Sequence, residues 1–381
     1  MKMLYDLMHK DTKVIQLSLD DNGLIESHGK VISPEHLPIG TFQKGILNGK
    51  DLKEWWSKRS IPASRSGIKD ILYKLDVPCT TALISRCMGL SLSDQYWIRE
   101  SGTDVSWGDV NFFDNGFSED LGNLMFGTNL NKKDLNLNTP DNTSDGILKK
   151  RWKIIDGVRY LIKSGGGTAL QEPFNELVAS HLMDILDIDH VHYDLTWMDG
   201  RPYSICADFI DRDTELISAS NFLNSYSWKK DNKYTQYVSS CSQFGIDIVP
   251  TLDRMIVMDF IMINTDRHLN NFGMVRDADT LEMIGPAPIY DNGTSLGNDL
   301  LTRELPQKLS GECKPFKNTF EEQIKLVTDF GWIDFDRLFG SEERIREILS
   351  IGDFLDKDRI EILVDTVMRR ISDLEAIAAD N

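Results

Sequence analysis

Two carboxylates and one amide stand at spacings that suit phosphoryl transfer. Asp266 and Asn271 lie five residues apart in INTDRHLNNFG (263–273), and Asp291 precedes Asn-Gly in APIYDNGTSLG (287–297). Transfer from ATP needs one carboxylate that orients the attacking hydroxyl, together with an amide and a second carboxylate that hold Mg²⁺ against the phosphates. Protein kinases arrange these groups as Asp-x4-Asn, a short hairpin and Asp-x-Gly. Each residue alone is well explained as a turn cap, but the combined spacing predicts an ATP- and Mg²⁺-dependent kinase with Asp266 catalytic and Asn271 and Asp291 as metal ligands.

A lysine on a predicted strand supplies a candidate phosphate contact. Lys163 ends the strand VRYLIK, and a lysine on the cleft side of such a strand can reach ATP phosphates as a point charge. A solvated lysine at a strand end is the competing interpretation. The helix that follows favours the phosphate contact, because it offers Glu176 as an ion partner for the lysine. Glu172 is the alternative partner. We therefore expect Lys163 to act at the phosphates and Glu176 to support it.

Two glycine-containing loops are candidates for the phosphate loop. Thr143-Ser144-Asp145-Gly146 is followed by Lys150, and such a loop can lie over a triphosphate with its backbone N–H groups and a lysine near the phosphates. A linker tail beside a basic strand edge explains the same residues, because no G-x-G-x-x-G pattern is present. The glycine run at 164–168 lacks a following Gly-Lys-Ser/Thr, so we interpret it as a strand-to-helix connection and assign Gly146 and Lys150 to the nucleotide.

The first part of the chain is predicted to be a packed region without a catalytic set. Residues 128–145 are rich in Asn, Asp, Thr and Lys and mark a loop, which places a boundary near residue 140. Four tryptophans upstream of this loop indicate a core rather than a tail: Trp55, Trp56, Trp97 and Trp107. We expect three parts: 1–140 of unknown role, 141–210 as a small lobe and 211–381 as a helical lobe.

Turn signals and periodicity predict the elements around the candidate residues. Asp156-Gly157 joins two strands into a hairpin, residues 172–188 have helical spacing, and a second hairpin runs through 191–209 with a turn at 198–202. Residues 252–264 are apolar nearly all round, which is typical of a buried helix, and they lead into the Asp266 loop. Another short hairpin delivers Asp291. Amphipathic helices are expected at 320–330, 342–351 and 357–380.

The charge and composition of the chain disfavour several classes of protein. The chain has 381 residues and a net charge of −18, from 42 basic and 60 acidic side chains, which disfavours broad contact with nucleic acid or an anionic membrane. It lacks an uncharged apolar stretch long enough for a spanning helix, and its beginning does not have the pattern of a secretory signal. Five scattered cysteines without a C-x2-C pair indicate reduced thiols, so we expect a cytoplasmic protein with no zinc site and no disulfide framework.

At these residues the sequence resembles the HipA-like kinases, a bacterial branch of the protein-kinase-like fold. The matching stretches extend over roughly 140–380, and Asp-Arg-His-x-x-Asn is the most specific of them; phosphoinositide-kinase relatives share a similar element. The stretches are INTDRHLNNFG, APIYDNGTSLG, strand residue Lys163, the Asn175-Glu176 pair and ADFIDR (207–212). The resemblance implies an α+β, two-lobed fold with a small antiparallel β lobe, a larger helical lobe and an additional N-terminal region.

The resemblance also implies roles and partners. Asp266 is expected to be the catalytic acid/base, with ATP and Mg²⁺ as cofactors, and Asp208 and Ile210 in a hinge segment are expected to meet the adenine through their backbones. His268 is placed beside the nucleotide site, where it orients the loop by hydrogen bonds. Family members carry Ser-x-x-Gly-x-x-x-Lys over ATP, with a self-phosphorylated serine in some; here Thr143 takes its place. A protein substrate and an antitoxin-like partner follow as expectations.

Two other functions fit the same residues. The acceptor hydroxyl could belong to a lipid head group or a small molecule, although the acidic charge argues against work on a membrane. The chain could also be a nucleotide-binding regulator without transfer activity. The complete set of acids and amide argues against that reading, since a non-catalytic relative tends to lose one of these groups.

Overall fold

A computed structural model describes residues 3–127, 135–167, 169–227, 231–309 and 312–380. Residues 128–134 of the Asn-rich loop, and Thr168 of the glycine run, therefore lie outside the described residues. The chain forms two compact units that interleave along the sequence. The first unit is Met1–Lys163, Ala207–Ser227 and Gly273–Gly285, and the second is Ser164–Cys206, Trp228–Phe272 and Pro286–Asn381. The three-part division at 140 and 210 stays a prediction.

Strands and helices alternate irregularly along the chain, as in an α+β protein. The strands are β1 (Leu4–His9), β2 (Thr12–Leu19), β3 (Ile25–Val31), β4 (Phe42–Gln43), β5 (Ile46–Leu47), β6 (Tyr96–Glu100), β7 (Lys150–Ile155), β8 (Val158–Ser164), β9 (Asp194–Met198), β10 (Arg201–Ala207), β11 (Thr214–Ser218), β12 (Gly273–Asp277) and β13 (Met283–Pro286). The helices are α1 (Gly49–Lys58), α2 (Ile68–Leu75), α3 (Thr81–Ile84), α4 (Trp107–Val110), α5 (Asp120–Met125), α6 (Glu172–Ile185), α7 (Ala219–Tyr226), α8 (Lys233–Ser242), α9 (Val249–Met262), α10 (Leu305–Lys308), α11 (Phe320–Gln323), α12 (Phe335–Phe339), α13 (Glu342–Leu349) and α14 (Lys357–Ala379).

The first unit is built on antiparallel sheets. Strands β3-β2-β1-β6 form one sheet, and β11-β12-β13 form another. Strands β7 and β8 make the predicted hairpin, in which Asp156 and Gly157 both take positive φ angles of 48° and 82°. Two positive φ angles in succession give the turn whose twist matches that of the strands, so the Asp-Gly signal was sufficient. Trp56 and Trp97 are fully buried, which confirms the packed core expected from the tryptophans.

The second unit contains the other predicted hairpin and most of the helices. Its turn is shorter than expected: β9 and β10 are joined by Asp199 and Gly200 alone, again with positive φ, instead of by residues 198–202. Met198 at the end of β9 pairs with Arg201 at the start of β10, so both residues belong to the strands and not to the turn. The predicted five-residue turn was wrong because Asp-Gly closes a hairpin by itself.

The helices of the second unit match the predictions with one exception. Helix α9 is buried on nearly every side, as its apolar sequence indicated. The amphipathic helix expected at 320–330 ends its α-helical part at Gln323 and continues as a 3₁₀ turn to Leu326. The buried carboxylate of Asp253 accepts hydrogen bonds from the backbone N–H groups of Thr328 and Asp329, which draws this segment out of the helix. Among the described residues, no helix is both long and apolar enough to cross a membrane.

A buried charge network links the two larger sheets of the first unit. Glu215 on β11 forms an ion pair with Arg276 on β12, and its other oxygen lies 3.3 Å from Nε2 of His9 at the end of β1. Arg276 also donates to the hydroxyl of Tyr96 at 3.1 Å. Burial alone would raise the pKa of Glu215, but Arg276 and His9 outweigh it and hold the pKa at about 2. The carboxylate therefore stays charged in the fold.

We expect Glu215 to make this fold sensitive to acid. Because its pKa in the fold lies below the ordinary 4.5, its contribution is complete above pH 4.5 and is lost as the pH falls towards 2. Glu215→Gln should lower the free energy of unfolding at pH 7 by about 3–5 kcal/mol, since it leaves Arg276 buried without its charge partner. The substitution should also flatten the pH dependence of the free energy of unfolding between pH 4.5 and 2. Urea unfolding across the acid range measures both effects, with exposed Glu282→Gln as the control. The same pH dependence of the free energy of unfolding in the wild type and in Glu215→Gln would contradict this role of the carboxylate.

Candidate active site

The loop that carries Asp266 leaves the end of helix α9 through a strained residue. Ile263 takes a left-handed conformation with φ 51° and is buried, which is a genuine outlier for a β-branched side chain. Asn264 then bridges helix and loop: its Nδ2 donates to Asp259 Oδ1 at 3.0 Å, and its Oδ1 accepts from the backbone N–H of Asp266 at 3.1 Å. Asp266 is thereby fixed to the last turn of a buried helix.

Hydrogen bonds inside the loop orient Asn271. The carbonyl oxygen of Asp266 accepts from the His268 backbone N–H and from Asn271 Nδ2, each at 2.8 Å. The amide nitrogen of Asn271 is thus bound within the loop, and the amide oxygen is the group that remains to act as a ligand. His268 contributes to the same turn, because its Nδ1 accepts from the Asn270 backbone N–H at 3.3 Å.

The side chain of Asp266 meets a lysine that the sequence analysis did not single out. Lys314 Nζ lies 3.1 Å from Asp266 Oδ1, and both side chains are partly open to solvent. The backbone carbonyl of Lys314 accepts a 2.7 Å hydrogen bond from the amide of Gln323, which is itself buried. A cation therefore stands beside the candidate catalytic carboxylate, where it can meet transferred phosphate or hold the carboxylate in place.

Arg267 is the centre of the site, and its side chain is fully buried. Its guanidinium uses every N–H donor that it has. It donates to the Asp259 carboxylate, to the carbonyl oxygens of Asn271 and Tyr290, and to Asn292 Oδ1. Burial alone would lower the pKa of Arg267, but the Asp259 carboxylate raises it above its usual value. One side chain thus ties helix α9, the Asp266 loop and the Asp291 loop together.

These bonds bring the two loops of the predicted metal site together. A single nitrogen of Arg267 binds the carbonyl oxygens of Asn271 and Tyr290, so the two oxygens lie within about 6 Å of each other. The hydroxyl of Tyr290 also donates to the carbonyl of Asn270 at 3.0 Å. Since Asp291 follows Tyr290 directly, the loop that carries the second candidate ligand approaches the loop that carries the first.

Asp291 itself has an unusual backbone. Its φ is 63°, in the left-handed region that Asp tolerates better than most residues. Its backbone N–H donates to the hydroxyl of Tyr193 at 3.3 Å. The next N–H, that of Asn292, donates to Glu176 Oε2 at 2.8 Å. Backbone strain of this kind persists only where neighbours hold it, and here Tyr193 and Glu176 do so.

Glu176 faces the protein interior rather than solvent. It lies on α6, is 2% exposed and binds the backbone of Asn292. Glu172, the alternative partner for Lys163, instead accepts from Asn298 Nδ2 at 2.8 Å. The pairing of Lys163 with Glu176 stays a prediction.

The first turn of helix α6 holds the loop that follows Asp291. Asn175 Nδ2 donates to the carbonyls of Gly293 and Ser295 at 2.8 and 2.7 Å. Its Oδ1 accepts from Gln171, whose own amide oxygen accepts from Arg359 of α14 at 2.6 Å. A Cβ on Gly293 would lie 3.2 Å from the Cβ of Glu172, so a glycine lets helix and loop approach closely. The Asn175-Glu176 pair therefore supports the loop with both side chains.

The predicted phosphate contacts on β7 and β8 lie in the first unit. Lys150 and Lys163 are directly opposite each other in the antiparallel register of the hairpin. Like charges at opposite positions destabilise a strand pair unless an anion offsets them. Gly146 has φ 95°, and a Cβ there would lie 2.7 Å from Lys150 Nζ. The positive φ favours glycine at this position, where the flexible end of Lys150 approaches the loop, and both lysines lie at the same end of the hairpin.

A buried arginine from the N-terminal region shapes the candidate phosphate loop. Arg65 is 2% exposed and donates to Ser144 Oγ at 2.8 Å and to the carbonyls of Ser144, Asp145 and Gly146 at 2.6–2.9 Å. Burial lowers its pKa to about 10, although nearby carboxylates oppose the shift. The hydroxyl of Thr143 donates to the carbonyl of Leu90 at 2.8 Å. The loop is therefore held from the region to which no function was assigned.

The hinge residues form an internal turn. The Asp208 backbone N–H donates to the Arg159 carbonyl at 2.8 Å, and the Ile210 N–H donates to Asp208 Oδ1 at 3.1 Å. Burial raises the pKa of Asp208 well above its usual value. With both N–H groups bonded internally, an adenine contact through these two residues would use their carbonyl oxygens.

The candidate residues thus fall into two groups. Asp266, His268, Asn271, Asp291 and Glu176 belong to the second unit, where Arg267 and Asn292 connect their segments by hydrogen bonds, whereas Gly146, Lys150, Lys163, Asp208 and Ile210 belong to the first. Sequence reasoning missed Arg267, Asp259, Lys314 and Arg65. Of these residues, only Asp259 and Arg267 could have been found from the sequence. Asp259 is an acid within an otherwise apolar helix, and a buried acid requires a partner such as the arginine of Asp-Arg-His.

Comparisons with known proteins identify the fold. The sequence matches no protein-family model and no curated protein sequence. The structure is similar to HipA in a *Shewanella oneidensis* MR-1 toxin–antitoxin complex of HipA, HipB and operator DNA, with a TM-score of 0.53, 13% identity and coverage of 98% of this chain and 99% of that one. The chain has a HipA-like kinase fold. It also aligns with a *Helicobacter pylori* proinflammatory kinase, CtkA, with a TM-score of 0.47, 19% identity and coverage of 60% and 89%.

The HipA-like fold confirms the predicted class, an α+β, two-lobed, protein-kinase-like architecture with a small antiparallel β lobe, a larger helical lobe and an additional N-terminal region. Coverage of nearly the whole chain includes residues 1–140, which the sequence did not match to any domain.

We expect Arg267 to be essential for the integrity of the site. Arg267→Met should lower the free energy of unfolding by about 3–5 kcal/mol, because it leaves Asp259 charged, buried and without its partner. Asp259→Leu combined with Arg267→Met should restore part of that loss, since neither buried charge then remains. Urea denaturation measures all three proteins. Exposed Arg344→Met is the matched control and should change stability far less. A double variant less stable than Arg267→Met would oppose this account of the pair.

Proposed function

We propose that this chain is a HipA-like, ATP- and Mg²⁺-dependent Ser/Thr protein kinase. The single observation that carries the proposal is the Arg267 network, which fixes the loops of Asp266, Asn271 and Asp291 to one buried helix. These are the groups that transfer from ATP requires, in the order in which kinases present them. A buried arginine bonded through all its donors would hold them without rearrangement during the reaction.

The donor set fits Mg²⁺. Mg²⁺ prefers oxygen ligands from one or two protein side chains and completes its shell with water and phosphate oxygens. Asn271 offers its amide oxygen, since its amide nitrogen is bound to the Asp266 carbonyl, and Asp291 offers a carboxylate on the adjacent loop. A bound metal would neutralise charge on the phosphates, and these two residues would hold it. His268 would serve the site through the loop's hydrogen bonds.

The nucleotide would be bound by the residues of the first unit. Lys150 and Lys163 bring two positive charges to opposite positions of one hairpin, which favours a polyanion such as a triphosphate. Gly146 leaves room for Lys150 to cross the loop, and Glu176 is proposed as the ion partner of Lys163. Asp208 and Ile210 would meet the adenine through their backbones.

Asp266 is proposed to act on the acceptor. Its carboxylate would take the proton of a serine or threonine hydroxyl while the hydroxyl oxygen bonds to the γ-phosphorus and ADP leaves. Lys314 beside it would offset negative charge on the transferred group. A side-chain hydroxyl of this chain is a further acceptor to test, although the Thr143 hydroxyl donates to the Leu90 carbonyl and the Ser144 hydroxyl accepts from Arg65.

The fold and the composition support proposals for a partner of this chain and for its location in the cell. The similar *Shewanella* HipA is in a complex with HipB and DNA, and on that likeness we propose an antitoxin-like protein as a partner of this chain. A net charge of −18 argues against direct contact with nucleic acid through a broad surface. The five cysteines are free, which fits a reducing cytoplasm.

We expect Asp266→Asn to abolish transfer while leaving nucleotide binding intact. With labelled ATP, Mg²⁺ and a mixture of protein acceptors, the variant should lose about 10²–10⁴-fold in rate, the typical contribution of a catalytic base. Asp365→Asn, which changes an exposed acid on α14, is the control. Equal rates for wild type and Asp266→Asn would remove this residue from catalysis. Labelling of lipid or small molecules but not protein would reassign the acceptor.

We expect Lys163 to contribute mainly to ATP binding. Lys163→Met should raise the Kd for ATP by about 10–100-fold, because a charge-assisted contact worth about 1.5–3 kcal/mol is lost. Lys153→Met, on the opposite face of the same hairpin, should leave the Kd near that of wild type. Calorimetric titration with a non-hydrolysable ATP analogue measures both. The same Kd for wild type and Lys163→Met would exclude Lys163 from the phosphate site.

A further inference from the structure

Three metal-binding side chains converge outside the candidate active site. Asp184 lies in the last turn of α6, and His190 and His192 follow on the segment that leads to β9. The ligand atoms of the three residues lie within 4.8 Å of one another, and the two imidazole rings are 4.3 Å apart. From the cysteines alone we expected no zinc site, and neither histidine of this pair was considered as a metal ligand.

The distances in this cluster suit a metal better than hydrogen bonds. His190 Nε2 lies 3.7 Å and His192 Nδ1 3.5 Å from Asp184 Oδ1, too far for good hydrogen bonds. In a tetrahedral zinc site, with bonds of about 2.1 Å, neighbouring ligand atoms stand about 3.4 Å apart. The two distances to the carboxylate oxygen are close to this spacing, and the two histidine nitrogens lie within 4.8 Å of each other, so small side-chain adjustments would complete such a site.

His190 is held in the tautomer that a metal requires. Its Nδ1 lies 2.7 Å from the carbonyl oxygen of Ile188, which can only accept, so Nδ1 carries the proton. Nε2 then carries no proton, and its lone pair accepts from the hydroxyl of Ser180 at 2.9 Å. A backbone carbonyl that fixes the far nitrogen is the usual support of a metal-binding histidine. A bound metal would take this lone pair of His190 in place of the hydrogen bond from Ser180.

The cluster is joined to the strand that leads to Asp291. His190 and Ile289 form a parallel β-bridge, in which the Val191 N–H donates to the Ile289 carbonyl at 2.9 Å. Tyr193, the next residue after His192, accepts from the Asp291 N–H. An ion that joined α6 to His190 and His192 would therefore stiffen the backbone on which Asp291 depends.

We propose that Asp184, His190 and His192 form a site for a divalent transition metal, with Zn²⁺ as the ion that fits best. Two imidazole nitrogens and one carboxylate are ligands that zinc takes readily, and water would complete the shell. The ion clamps the end of α6 to residues 188–193. The site is separate from the Asn271 and Asp291 oxygens, which suit Mg²⁺ instead.

Metal titration of the tag-free, full-length chain tests this proposal. Co²⁺, whose visible absorption reports a four-coordinate site, and Zn²⁺ by calorimetry should each bind with one equivalent. His192→Ala changes an exposed side chain and should lower Zn²⁺ affinity by at least about 100-fold, whereas His28→Ala, also exposed, should not. Ser180→Ala should retain binding, because it removes only the competing hydroxyl. Equal affinity in wild type and His192→Ala, or the absence of the Co²⁺ signal, would overturn the site.

Hydrogen exchange separates the clamp from binding alone. Zn²⁺ should slow exchange at residues 188–193 and 287–291 of the wild type by about tenfold or more, and should have no such effect in His192→Ala. Zinc binding without a change in exchange at these segments would overturn the clamp.

Discussion

The buried ion pair of Arg267 and Asp259 is the interaction on which the rest of the candidate site depends. Taking two charges out of water is costly, and the cost is offset only when geometry is good and the remaining donors are satisfied. Here every N–H of the guanidinium is bonded, and three of its acceptors belong to the two loops that carry Asn271 and Asp291. A lysine could not replace it, because a single ammonium lacks the planar fork that reaches helix and both loops at once.

The same network explains how strained backbone is maintained. Ile263 and Asp291 both take left-handed conformations, each of which costs about 1–3 kcal/mol and needs support from its surroundings. Ile263 is buried at the end of α9, and Asp291 is held by Tyr193 on one side and by the Glu176 contact to Asn292 on the other. Helix α6 thus supports one loop while α9 supports the other, and Arg267 joins them. A site built in this way presents its oxygens from rigid elements.

The sequence predicted what depends on local signals. Asp-Gly turns, the apolar helix before Asp266 and the spacing of Asp266, Asn271 and Asp291 are properties of short segments. The ends of elements were less predictable, since the segment after α11 is bound by the carboxylate of Asp253, a residue far away in the sequence. Arg65 and Lys314 were missed for the same reason: each contacts the candidate site across more than 40 residues of chain. Their types are ordinary for surface positions, so only tertiary structure reveals them.

The central claim is that Asn271 and Asp291 hold a metal on the phosphates of ATP in front of Asp266. A crystal structure of the full chain with Mg²⁺ and a non-hydrolysable ATP analogue tests it most directly. We expect a Mg²⁺ ion about 2.1 Å from Asn271 Oδ1 and from an Asp291 oxygen, with the γ-phosphate facing Asp266. A nucleotide bound elsewhere, or a metal on the phosphates that neither residue touches, would contradict it.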